Sequence, residues 1–189
     1  MTNSECGLAG ITEHVAAISV EDYLARYVDF EATEARCREC GNYGKGWRCP
    51  PFDFDPREVW RRYRTFMVCC WKMPTKGLSD SEVIPAFFEA KARFDERMLE
   101  LERSQPGSLA ISAGFCNRCE TCTRAAGKPC RMPEKARYSI EALGGIMDRT
   151  VRDLLGFDVL WGEAGKQPEY YTLAGGLLLR SDTPPIGIK

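Results

Sequence analysis

The chain has 189 residues, a formal net charge of −1 and a pI near 6.0. Its 44% hydrophobic and 28% charged content suits one ordinary folded domain over residues 1–189 and excludes a disordered or fibrous chain. The charge balance leaves no basic excess for nucleic acid, and no apolar run is long enough to span a bilayer. The first ten residues lack the basic and apolar regions of a secretory signal, so a cytoplasmic protein is expected.

In chain order, residues 11–30 follow neither helical nor strand period cleanly, and a first cysteine loop runs from Cys37 to Pro51. Asp55 and Pro56 suit the N-cap and first position of a short helix through Arg64. Thr65–Trp71 reads as a buried strand. Ser79 or Ser81 suits the cap of a long helix. Its apolar positions are Val83, Ile84, Phe87, Phe88, Phe94, Met98 and Leu101, and Pro106–Gly107 ends it. Leu109–Ala113 is a short strand leading into a second cysteine loop, Gly114–Pro133. Ser139 opens a helical stretch, bent at Gly144–Gly145 and stopped at Gly156. Phe157–Trp161 and Tyr171–Leu179 read as strands. Helices alternating with strands predict an α/β fold: a single-domain mixed sheet with flanking helices, some strands pairing parallel, and two cysteine-rich loops inserted.

Ten cysteines in a reducing compartment point to ligands rather than disulfides, and seven of them fall into two tight groups. Cys116, Cys119 and Cys122 are separated by two-residue gaps, and Cys130 follows. Such gaps let a short loop present successive sulfurs to different irons of a [4Fe–4S] cluster, as in bacterial ferredoxins. The longer gap to Cys130 departs from ferredoxin spacing. Structural zinc sites favour two separated pairs, so zinc is the weaker alternative here. The first group, Cys37, Cys40 and Cys49, supplies three thiolates. Around a four-iron cluster that leaves one iron open to water, substrate or another side chain; zinc, or a fourth cysteine from elsewhere, stays open.

Cys69 or Cys70 is a candidate for that fourth ligand, although adjacent strand residues face opposite ways and buried cysteine is a common core residue. Cys6 is left out of both sets. The single histidine, His14, lies far in sequence from both groups and reads as a surface or partly buried residue. Gly41–Trp47 lets backbone N–H groups approach sulfur, or is simply a tight turn. Arg36, Arg38, Lys45 and Arg48 flank one group and Arg118, Arg124, Lys128 and Arg131 the other. These cations would favour cluster reduction, receive an acidic reactant or electron partner, or form a solvated surface.

The segments CRECGNYGKGWRCPPF (Cys37–Phe52), GFCNRCETC (Gly114–Cys122) and PCRMPEKARYSIEALG (Pro129–Gly144) resemble an uncharacterised microbial family of predicted metal-binding proteins. The resemblance implies that Cys37, Cys40, Cys49, Cys116, Cys119, Cys122 and Cys130 are metal or cluster ligands, and it gives weight to Glu141 as a site acid. It implies no reaction. The expectation is an iron–sulfur redox protein with one or two [4Fe–4S] clusters, passing electrons to a redox partner protein or small-molecule substrate, with no nucleic-acid or membrane partner. The alternatives are an enzyme acting at the open iron of the three-cysteine site, or a zinc-stabilised interaction module.

Overall fold

The computed structural model describes residues 3–5, 10–163 and 166–181; Cys6 lies outside them. Five strands form one sheet: β1 (Asn3–Glu5), β2 (Thr12–Ser19), β3 (Thr65–Pro74), β4 (Leu109–Ser112) and β5 (Tyr170–Leu179). The helices are α1 (Val20–Tyr27), α2 (Phe30–Glu39), α3 (Arg57–Arg61), α4 (Asp80–Ser104) and α5 (Met147–Leu155). This is the expected α/β class with flanking helices, but the parallel pairing is corrected. The strand order is β1-β2-β3-β5-β4 and every ladder between these strands is antiparallel. The crossover through α4 does leave β3 and β4 running in the same direction. β5 lies between them and takes the hydrogen bonds of both.

The centre of the sheet explains the near-continuous apolar run of β3. Phe66, Val68 and Cys70 point into one core, with α1, α3 and α5, while Met67, Cys69, Trp71 and Met73 point into the other, under α4. Successive strand residues alternate faces, so a strand covered on both sides must be apolar at every position. In β5, Gly176 permits this close layering: a Cβ there would stand 2.2 Å from the Met67 carbonyl oxygen.

α4 starts where Ser79 and Glu82 form a capping box, with the Glu82 carboxylate accepting from the Ser79 N–H at 2.9 Å. Val83, Ala90, Phe94, Met98 and Leu101 carry its buried stripe, whereas Ile84 and Phe88 face outward, 48% and 49% exposed, against expectation. The short helix ends at Arg61 rather than Arg64, because Arg64 turns to pair its N–H with the Leu179 carbonyl at 2.7 Å.

Two further expectations are corrected in the segment that reaches the site. Residues 140–144 are turns between isolated bridges at Ser139 and Gly145, and the helix begins only at Met147. Gly144 has φ +89°, a left-handed conformation that interrupts a right-handed helix, and a Cβ there would lie 2.8 Å from the Phe30 ring. Phe157–Trp161 is irregular rather than a strand. Its Phe157 side chain packs instead 4.8 Å from His14, whose Nε2 lies 3.0 Å from Thr12 Oγ1. Among the described residues no helix is long and apolar enough to cross a membrane.

Candidate metal centre

The first group is built on the end of a helix that the periodicity did not reveal. α2 opens with Asp29 accepting from the Ala32 N–H and closes at Cys40. Cys37 therefore sits in the last helical turn, and Cys40 caps it through an N–H bond to the Cys37 carbonyl at 3.0 Å. The chain then folds back, with the Gly44 N–H bonded to the Pro50 carbonyl at 2.8 Å and the Cys49 N–H to that of Gly46 at 3.0 Å. These turns bring Cys37, Cys40 and Cys49 to one wall of a cleft of about 440 Å³. The rest of its lining comes from the start of α5 (Ile146–Asp148), from Ala113–Phe115 and from Val159, Trp161, Thr172 and Ala174, among others. Trp161 stands 75% exposed at this cleft. The volume falls in the range of small-molecule sites.

Glu141 also lines this cleft, as the family resemblance weighted it. Its carboxylate accepts from the Gly114 N–H at 3.2 Å, joining the turn before α5 to the root of the second cysteine loop. Part of the residue's surface opens on the cleft, but the carboxyl is densely surrounded, and burial raises its pKa above the usual glutamate value.

The second group surrounds a separate cavity of about 250 Å³ lined by Cys116, Cys119, Cys122 and Cys130, with Cys49 of the first group on its wall. The Arg118 N–H points at the Cys116 sulfur, which favours the thiolate, although burial still raises that pKa overall. Cys49 borders both cavities, so the two groups meet there. The expected cations are the means of fastening them. Arg124, from the short 3₁₀ turn Thr123–Ala126, donates to the carbonyls of Gly46 at 2.7 Å, Cys49 at 2.6 Å and Pro51 at 2.5 Å. Trp47 donates back to the Lys128 carbonyl at 2.9 Å, and Arg48 lies over the Tyr138 ring at 4.6 Å. Arg118 pairs with Glu96 at 3.5 Å, and Arg131 donates to the Thr121 carbonyl at 2.5 Å. Half of these charges thus brace loops rather than await an anion.

Cys69 and Cys70 are excluded as the missing ligand of the first group. They sit in opposite cores, line neither cavity, and burial pushes both thiols well above the ordinary cysteine range. Cys69 donates to Glu13 at 3.6 Å. Of the carboxylates near Cys37, Glu141, which lines the same cleft, is the one whose charge acts on it most strongly.

With no cation present, burial pushes Cys37 and Cys49 up to about 11, so both are neutral thiols near pH 7. Neutral thiols are poor nucleophiles, and a bound metal is what would ionise them. Among the described residues no three Cys, His, Asp or Glu side chains converge as a ready site for one metal ion. A single tetrahedral zinc with bonds of about 2.3 Å would need sulfurs roughly 4 Å apart. The all-sulfur donor set around the cavity is one that both structural zinc and iron–sulfur clusters use.

The fold and site define a cysteine-rich α/β protein whose clustered thiols suit metal binding. The family described as "Predicted metal-binding protein (DUF2284)" matches residues 25–179, and the chain belongs to it. That span contains both cysteine groups and Glu141. No curated protein and no solved structure matches the chain.

Proposed function

We propose that this chain is an iron–sulfur redox protein. In this reading Cys116, Cys119, Cys122 and Cys130 hold a closed relay cluster, and Cys37, Cys40 and Cys49 hold a second cluster open to a small-molecule reactant. The observation that carries the reading is the meeting of the two cavities at Cys49: the four thiols of the second group surround one cavity with Cys49 on its wall, whereas Cys37, Cys40 and Cys49 line a cleft large enough for a ligand. A [4Fe–4S] cluster supplies one-electron transfer, with a potential set by its charge, hydrogen bonds and exposure. The chain's own residues would hold the reactant against apolar walls at Phe115, Ile146 and Val159 and keep the two thiol sets in register through Arg124. Glu141, whose pKa burial raises, would place a carboxyl at the cleft lining.

The cleft also favours a second reading in which the open position makes the protein an enzyme rather than a carrier. A small ligand that perturbs the spectrum of the three-thiolate site would favour the enzyme. Protein expressed and purified anaerobically should be brown, with about four or eight irons and matching sulfide per chain, and should show a paramagnetic signal on reduction. Colourless protein holding stoichiometric zinc and no iron would overturn the reading.

A further inference from the structure

The cysteine loops carry a charge that the whole chain conceals. Residues 36–51 and 114–137 contain ten Lys or Arg against three Asp or Glu, a net of +7, so the remainder of the chain carries −8. Carboxylates outside these segments pair with three of the ten, Arg38 with Glu34, Arg118 with Glu96 and Arg137 with Glu102, and ionised thiolates would offset more, so the free positive charge is that of the unpaired lysines. Several of these cations are internal braces, but Lys45, Lys128 and Lys135 are exposed and none makes an ion pair among the described residues. The same face exposes apolar side chains where a folded chain would normally cover them. Trp47, Phe115 and Met132, which are 38%, 48% and 37% exposed, all line the cavity formed by the four thiols of the second group.

An apolar ring around a candidate electron site, flanked by unpaired lysines, has the anatomy of a transient docking face. Long-range charge steers such short-lived encounters, and a small apolar contact seats them. We infer that this face docks an acidic one-electron carrier protein, which meets the protein over Trp47, Phe115 and Met132 and exchanges its electron at the four-thiol cavity. The carrier gives up one electron and the protein takes one; no bond is made or broken. As a route for electrons this rests on the redox reading above; as a binding face it rests on charge and exposed apolar surface alone.

The test uses anaerobically purified full-length protein of known iron content, with an acidic ferredoxin as probe and basic cytochrome c as control. Association is measured by calorimetry and chemical-shift mapping, and reduction by stopped-flow absorbance. Saturable binding of the ferredoxin is expected, weakened at least about tenfold by raised salt or by the pair Lys45→Glu and Lys128→Glu, which face solvent and leave the fold intact. Met132→Gln, which removes apolar surface without adding charge, should weaken binding without changing its salt dependence. Absence of saturable ferredoxin binding, equal binding of cytochrome c, indifference to both charge reversals, or preferential binding of a single-stranded oligonucleotide would each overturn the inference. Because association is read separately from iron content and reduction, a failed face is distinguishable from a missing cluster.

Discussion

Arg124 Nη1 of the second cysteine loop donates a hydrogen bond of 2.6 Å to the carbonyl of Cys49 in the first. Together with the bonds to Gly46 and Pro51, this turns two loops 75 residues apart in sequence into one body. Bonds from a charged donor to carbonyls are among the stronger ones, and the planar fork of arginine reaches several acceptors at once. Arg124→Ala should therefore lower stability by about 2 kcal/mol in denaturant titration. Arg124→Lys should recover only part of this, because one ammonium cannot span the three carbonyls. An unchanged midpoint in both variants would show that the loops are held together by other contacts.

Cys49 touches both cavities, so its substitution separates shared from independent sites. On the two-cluster reading, Cys49→Ala should reduce iron from about eight to about four per chain, and Cys119→Ala should remove the other half. Loss of all iron from Cys49→Ala would mean that the two thiol sets form a single site.

Beneath the second loop, Lys91 and Asp95 form a nearly buried ion pair, with side chains 12% and 8% exposed. Ser112 Oγ closes the triangle, 3.0 Å from each partner. Removing one charge strands the other in a low-dielectric site, which typically costs about 3–5 kcal/mol. Asp95→Leu alone should destabilise by roughly this amount, and the double variant Lys91→Met with Asp95→Leu by clearly less. Additive losses in thermal unfolding would contradict this account of the pair.

His14 gives a pH dependence of defined sign. Burial, then the Lys72 charge, lowers its pKa below 6.5. The folded state therefore favours neutral imidazole, and the contribution is complete above about pH 6.5, the unfolded value, and is lost as pH falls through the lower folded value. The stability difference between pH 7.5 and pH 5 should be smaller in His14→Gln than in the parent chain. An equal difference would remove His14 as its source.

Much of the scaffold was legible in the residues. The TFMVCCW run marked the central strand, and the Ser79 capping box with its apolar stripe marked α4, because burial and capping leave local signatures. α2 escaped notice because its one buried residue is Thr33, so FEATEARCRE carries no apolar stripe. The 157–161 segment misled for the opposite reason. Its apolar residues Phe157 and Val159 pack onto the core from an irregular chain, and local hydrophobicity does not distinguish that from a strand.

The seven cysteines and their grouping are properties of the sequence alone, since two-residue gaps restrict which sulfurs a short loop can present together. That the groups adjoin at Cys49, that Arg124 binds one to the other, and that Glu141 lines the same cleft as Cys37 were decided only by the tertiary structure. The physical reason is separation along the chain: spacing constrains residues within a loop, whereas contacts spanning 75 residues and more depend on how the sheet and helices pack between them.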